Sequence, residues 1–384
     1  MPKIRDIFSA AVEIPLPRPV RWSNVSVSTR EYILCWVVDD EGNFGFGYGL
    51  GSRFPRGACL MHQAIQENLK HLAVGQDPFM NEAIWNAMYM ESFLIGRQGA
   101  IMRAISCIDI AIWDLKAKIV SLPLYKLLGG SVSEVPAYAS GGYYQDGKDV
   151  PGLAREIQVY RSRGFTSFKI KVGQMTPELE EERVAAALDA AGPHGKIAVD
   201  ANNAWKSVAE AWPYVCRFEK FNLWWLEEPF SPDNRPAYRE LAKRTRIPLA
   251  SGELESGRDS FRDYIEHGSA QILQTDATVV GGITEWRRIA AMAAGWNLPM
   301  APHWVPDVHA HLLASIPNGW TAEYFLPEAG ILNFEQLLEN PLHVNNGVIR
   351  LGDEPGHGIR VNTDAVQTFL KAGAPPKLSS VGVR

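Results

Sequence analysis

Two lysines spaced two apart, three carboxylates that each close an apolar run, and a histidine after Ala-Pro are the residues of this 384-residue sequence that could do chemistry together. Asp200, Glu227 and Glu253 lie at the ends of separate β-like runs. Bringing them together crowds three negative charges, which is costly unless a cation neutralises them. A ligand set of oxygens alone, without His or Cys, suits Mg²⁺ better than zinc and leaves octahedral positions for water and a substrate carboxylate. Lys169 and Lys171 project to the same side of a strand, so each ammonium disfavours protonation of the other. A lysine lowered toward neutrality in this way is a usable general base. Asp276 and His303, on neighbouring runs, can form a dyad in which the carboxylate fixes the imidazole tautomer and raises its basicity. Singly, each feature is ordinary: Lys-x-Lys is commonly a solvated face, a strand-end carboxylate commonly a salt bridge, a histidine after Ala-Pro commonly structural. Their convergence is what argues for a site.

The elements that must position these groups follow from the rhythm of the chain. From residue 131 to about 330, short β-like runs alternate with helix-length segments at 135–140, 167–172, 196–201, 223–228, 248–253, 272–277, 297–303 and 321–325. Eight such units over roughly 200 residues predict an α/β fold of the (β/α)8 TIM-barrel type, whose strand C-termini open onto one face. Lys169 and Lys171, Asp200 and Asn202, Glu227 and Glu228, Glu253, Asp276 and His303 fall at successive run ends, and Glu323 lies in the eighth run. Residues 1–130 read as an α+β capping domain. An apolar run at 32–38, a turn at 39–43 and the alternation of Phe44, Phe46 and Tyr48 predict a hairpin, and Ile101, Ile105, Ile108, Ile112 and Leu115 predict an amphipathic helix. The glycines from Gly45 to Gly51 are out of register with a dinucleotide-binding fingerprint and are expected in turns and a lid. The proline-containing segment 331–384 has no further βα unit and is expected to pack back on the cap.

Composition bounds the partners. A hydrophobic fraction of 46%, a charged fraction of 21% and a net charge of −5 describe an ordinary globular chain without the basic footprint of a nucleic-acid binder. No apolar run is long enough to span a bilayer and no signal region follows the N-terminus, so a cytoplasmic location is expected. The four cysteines form no CxxC pair and are expected as buried thiols.

Phe-Lys-Ile-Lys-Val-Gly (168–173), Val-Asp-Ala-Asn (199–202), Trp-Leu-Glu-Glu-Pro (225–229), Gly-Glu (252–253), Asp276 before Gly281-Gly282, Ala-Pro-His (301–303) and Glu323, in that order, resemble the mandelate racemase subgroup of the enolase superfamily with its acid-sugar dehydratases. The resemblance extends into the cap, through residues 42–51 and the segment with Asp109, Trp113 and Asp114, and no position that carries chemistry departs from the pattern. It implies one Mg²⁺ per subunit on Asp200, Glu227 and Glu253, Lys171 as one acid/base group and His303 with Asp276 as the other. It also implies Lys169 beside the substrate carboxylate, Glu323 bonded to its oxygen, Asn202 as a substrate contact, and a homo-oligomer, dimer or octamer. The weakly acidic α-proton of a carboxylate would leave to give an enediolate held by the metal, Lys169 and a protonated Glu323.

With a β-hydroxyl on the substrate, an aldonate or aldarate would lose water and become a 2-keto-3-deoxy acid; without one, the same pair would racemise or epimerise a 2-hydroxy acid. Dehydration is the favoured expectation, with Arg21, Ser23, Asn24 and Arg53 in the lid segments near 20–30 and 49–58 and Arg53 as a substrate contact. A nicotinamide-dependent barrel lacks its glycine fingerprint. A glycosidase using Glu227 or Glu228 with Glu253 leaves the lysines and Asp200 idle. A non-catalytic sugar-acid binder should lack a base or a ligand, and none is missing.

Overall fold

The computed structural model describes residues 2–23, 25–51 and 56–376. Strands β1 (Ile4–Trp22), β2 (Val25–Asp39) and β3 (Phe44–Leu50) form an antiparallel sheet. Its tight turn is encoded by Asp39, whose carboxylate accepts from the backbone N–H of Glu41 and Asn43 and from the Asn43 side chain. The apolar run in β2 has no polar alternation because both faces are covered. Ile33, Cys35 and Val37 enter a core within the cap, while Tyr32, Leu34 and Trp36 enter the large core shared with the barrel.

The predicted helix is Ala100–Ile119, and it lies across β3. Here the expectation of a glycine-rich lid is corrected: Gly45, Gly47 and Gly49 are inside strand β3. A Cβ on Gly45 would collide with the Ala111 carbonyl oxygen and one on Gly47 with that of Cys107, so the glycines let helix and sheet backbones touch.

Strands β4 (Glu134–Ser140), β5 (Ser167–Lys171), β6 (Lys196–Asp200), β7 (Leu226–Glu227), β8 (Leu249–Ser251) and β9 (Ile272–Leu273) pair in parallel in that order, and β10 (Ala322–Tyr324) pairs with β4. The expected seventh strand is reduced to Met300, which bridges Leu273 on one side and Gly319 on the other and so closes the barrel. Strand β11 (Val344–Asn345) pairs with β12 (Val348–Arg350), which pairs antiparallel with β4, while β13 (Leu370–Gly373) pairs with β1. The C-terminal segment therefore touches both the barrel sheet and the cap sheet.

Asp109 and Trp113, on the long cap helix, reach across to the barrel: Asp109 accepts from the Thr284 N–H (2.9 Å) and hydroxyl (2.6 Å), and the Trp113 indole donates to the same hydroxyl. Cys35 and Cys107 are buried as expected, whereas Cys59 is half-buried and Cys216 exposed; all four thiols are free. No helix among the described residues is long and apolar enough to cross a membrane.

Candidate active site

Parallel pairing in register places Lys171 of β5 beside Asp200 of β6, and Asp200 beside Glu227 of β7. Asp200, Glu227 and Glu253 are buried, with one oxygen of each within 4.8 Å of the others. Three buried carboxylates this close repel one another. Burial and the Asp200 charge push the Glu227 carboxyl up to about 8. A hard divalent cation fits this all-oxygen donor set.

Around the triad, Lys169 Nζ lies 2.5 Å from Glu227 Oε1 and 2.7 Å from Glu323 Oε1, and Lys171 contacts Asp200 Oδ2. Both lysines face the barrel interior, but the expected lowering of Lys171 is not what the arrangement gives. Burial works against the Lys171 ammonium, yet the Asp200 charge, with Tyr143 and Glu227, outweighs burial and Lys169 together and holds it above the ordinary lysine range. The expected protonation of Glu323 is reversed for a related reason. Burial would raise that carboxyl, but Lys169, with His303 and Lys171, brings it down to about 2.

On the other flank, His303 Nδ1–H donates to Asp276 Oδ2 at 2.8 Å, which leaves Nε2 facing Glu253 Oε2 at 3.7 Å. Asp276 caps the turn Ala277–Val280, and its Oδ1 accepts from both the Thr278 N–H and hydroxyl, so its second oxygen is committed to the imidazole. Burial disfavours the charged ring, but Glu253 and the Asp276 bond outweigh it and raise His303 to about 9. Non-glycine residues with positive φ gather at these strand ends, at Asn202 (41°), Glu228 (38°), Trp304 (47°) and Val305 (34°), where backbone strain accompanies the clustered charges.

Lys171, Asn202, Glu253, Asp276 and His303 line one cavity of about 130 Å³. Asn202 Oδ1 is buried without a hydrogen-bond partner among the described residues. Lys169, Asp200, Glu227 and Glu323 are fully buried, with Asp200 in contact with the lining residue Lys171. Of the four residues expected in the lid segments, Arg21 is in an ion pair with Asp146 and Ser23 is in the turn after β1, while Asn24 and Arg53, the last expected as a substrate contact, lie outside the described residues.

The cavity wall carries two arginines that sequence reasoning missed. Arg30 of β2 is packed over the Trp22 ring and bonded to the Ile331 carbonyl, and Arg103 is on the long cap helix. Gln274 was also missed: it donates to Glu227 Oε2 at 2.6 Å, beside the Trp225 indole at 2.9 Å. A usable signal for it existed, since in the apolar run read at 272–277 residue 274 alternates in step with Asp276.

A barrel with a carboxylate triad, a lysine on one flank and a His–Asp dyad on the other defines a class of metal-assisted acid/base enzymes. The chain matches the model of the mandelate racemase / muconate lactonizing enzyme N-terminal domain over residues 4–129 and that of the enolase C-terminal domain-like family over 152–365. The protein belongs to the mandelate racemase / muconate lactonizing enzyme family of the enolase superfamily, and it is an enzyme.

Among its relatives, an arabinonate dehydratase of Saccharolobus solfataricus is 32% identical over 88% of this chain and 90% of its own. A D-galactarolactone cycloisomerase of Agrobacterium fabrum is 32% identical over 96% and 98%. The structure of L-talarate dehydratase from a Polaromonas species, complexed with Mg and L-glucarate, superposes with a TM-score of 0.85 at 28% identity, covering 97% of this chain and 99% of that one.

Proposed function

We propose that this enzyme dehydrates a sugar acid, an aldonate or aldarate, to a 2-keto-3-deoxy acid with Mg²⁺ held by Asp200, Glu227 and Glu253. The observation that carries the reading is that Lys171 and the Asp276–His303 dyad meet in one cavity from opposite flanks of the triad. The relatives' dehydration of arabinonate and talarate supports the choice of reaction, and Arg30 and Arg103 in the cavity wall favour an acidic substrate.

When bound, the cation supplies positive charge that takes up the carboxylates, Asp200 included, and offsets the charge developing on the substrate carboxylate. Lys171, relieved of Asp200, removes the α-proton on its face. Lys169, held between Glu227 and Glu323, keeps a permanent positive charge beside the same carboxylate. His303, its Nδ1–H held by Asp276, presents Nε2 to the cavity and delivers a proton to the departing β-hydroxyl. The C–H and C–O bonds break, water leaves, and the enol becomes the ketone. Trp22, Tyr143 and Phe325 give the cavity an apolar wall.

The test is a screen of aldonates and aldarates with Mg²⁺ in D₂O, with keto acids trapped by semicarbazide. Keto acid from one or a few substrates is expected, falling roughly 10²- to 10⁴-fold in Lys171→Ala and His303→Asn. Deuterium at the α-carbon without keto acid would replace dehydration by epimerisation, and turnover undiminished by EDTA would overturn the metal-dependent reading.

A further inference from the structure

The dyad lies beyond the backbone pairing that should align it. The last bonds between the sixth and seventh barrel positions run from the Leu273 N–H to the Pro299 carbonyl and from the Ala301 N–H to the Leu273 carbonyl. Asp276 and His303 come after these, with no further backbone hydrogen bond between the two chains among the described residues. Immediately past His303, Trp304 and Val305 both adopt left-handed backbone conformations, with φ of 47° and 34°. Non-glycine residues hold such conformations only where surrounding bonds over-determine them.

Besides the dyad bond itself, one side chain among the described residues ties these two ends together. His309, fully buried on the helix Pro306–Leu313, accepts the Ala277 N–H at Nε2 (3.0 Å) and donates from Nδ1 to the Trp304 carbonyl (2.6 Å). The first contact lies at the peptide that follows Asp276 and the second at the residue that follows His303. The ring stacks on Trp286, whose indole donates to the Thr275 carbonyl, so the clip is braced from behind. Only the neutral tautomer with hydrogen on Nδ1 makes both bonds.

We propose that His309 is a positioning residue that clips the strand ends carrying Asp276 and His303 and thereby sets the reach of the His303 imidazole across the cavity. It touches neither substrate nor metal ligands; it acts through the dyad. A packed aromatic of similar size would keep the core filled and lose both bonds. A glutamine could restore one or both from its amide.

The proposal rests on His303 being an acid/base group, so His303→Asn is measured beside His309→Phe and His309→Gln, with a crystal structure of the phenylalanine variant. In His309→Phe, kcat is expected to fall on the order of 100-fold with KM little changed. The Nδ1–Oδ2 contact should open, and α-proton exchange from the Lys171 side should persist. His309→Gln should recover much of kcat. Where phenylalanine prevents folding, His309→Met removes the same bonds with a flexible side chain and is expected to show the same kcat loss. A folded bondless variant with wild-type kcat, or one that loses Lys171-side exchange in equal measure, overturns the clip. Undiminished activity in His303→Asn would instead overturn the reading of the dyad.

Discussion

At the scale of single residues, the site is a balance of buried charges, each held in place by its neighbours. Glu227 shows this best: Lys169 takes one of its oxygens, while Gln274 and Trp225 donate to the other. Outer partners of this kind orient a ligating carboxylate and tune its affinity. Gln274→Leu keeps the volume but removes one donor, and is expected to weaken Mg²⁺ binding roughly 10- to 100-fold. Titration calorimetry with Mg²⁺ decides this, and unchanged affinity would assign the orientation to Lys169 and Trp225 alone. Asp200, Glu227, Glu253, Lys169, Lys171, Asp276 and His303 were legible in the sequence because charged residues stood where buried strands call for Val, Ile or Leu. The protonation of Lys171 and Glu323 was not legible. It depends on which opposite charge lies nearest, and the contact of Lys171 with Asp200 reverses what the Lys-x-Lys spacing alone suggests. Arg30 and Arg103 were hidden because nothing in local sequence says that a cap strand and a cap helix turn those side chains over a barrel mouth.

At the scale of elements, the sequence showed where strands and helices lie better than how closely they approach. The long helix and the β2–β3 hairpin follow from periodicity and turn chemistry, but the alternation of glycine in β3 is a record of helix–sheet contact that looks locally like a lid. A Cβ on Gly47 would fall on the Cys107 carbonyl and lie 2.9 Å from the Ala111 N–H, whereas one on Gly49 finds its nearest neighbour, Thr278 Cβ, at 3.3 Å. Gly47→Ala is therefore expected to destabilise the fold by at least the roughly 1–3 kcal/mol typical of overpacking, and Gly49→Ala by clearly less. Urea unfolding of the pair measures this, and equal losses would mean that the helix can lift off the sheet at little cost. The shortened seventh strand has the same origin. An apolar run at 297–303 reads as a strand, yet Asn297 has a φ of 55° and only Met300 is bridged. The chain after it bends to aim His303 at the cavity rather than to continue a ladder.

At the scale of the whole molecule, cap, barrel and C-terminal segment meet on buried histidines that must stay neutral. His311, on the barrel helix, accepts the Tyr125 N–H at Nδ1 and faces the His357 carbonyl with Nε2. His357 in turn accepts the Ile359 N–H and donates to the Phe46 carbonyl of the cap sheet, while its own N–H reaches Asp114 on the cap helix. The sequence offered no sign of this junction, since it joins residues separated by up to 311 positions. A proton added to His311 at Nδ1 would point at the Tyr125 N–H, and burial, with His357 beside it, lowers the ring to about 3. The unfolded chain titrates near 6.5, so above that pH the ring is neutral in both states and contributes no pH dependence. Below it, the unfolded chain takes up a proton that the folded chain refuses, and this ring's contribution to stability falls by about 1.4 kcal/mol per pH unit until the folded pKa is approached. Other groups titrate in the same range, so the difference between wild type and His311→Asn isolates the ring. The wild type should be the more stable at pH 7.5, and its advantage should shrink by about 1.4 kcal/mol for each unit below 6.5, reversing sign if the initial gap is small. Urea midpoints at pH 7.5, 6.0 and 5.0 give the series. A gap that stays constant across it would mean that the folded protein protonates His311 as readily as the unfolded chain does, and that the junction tolerates the charge.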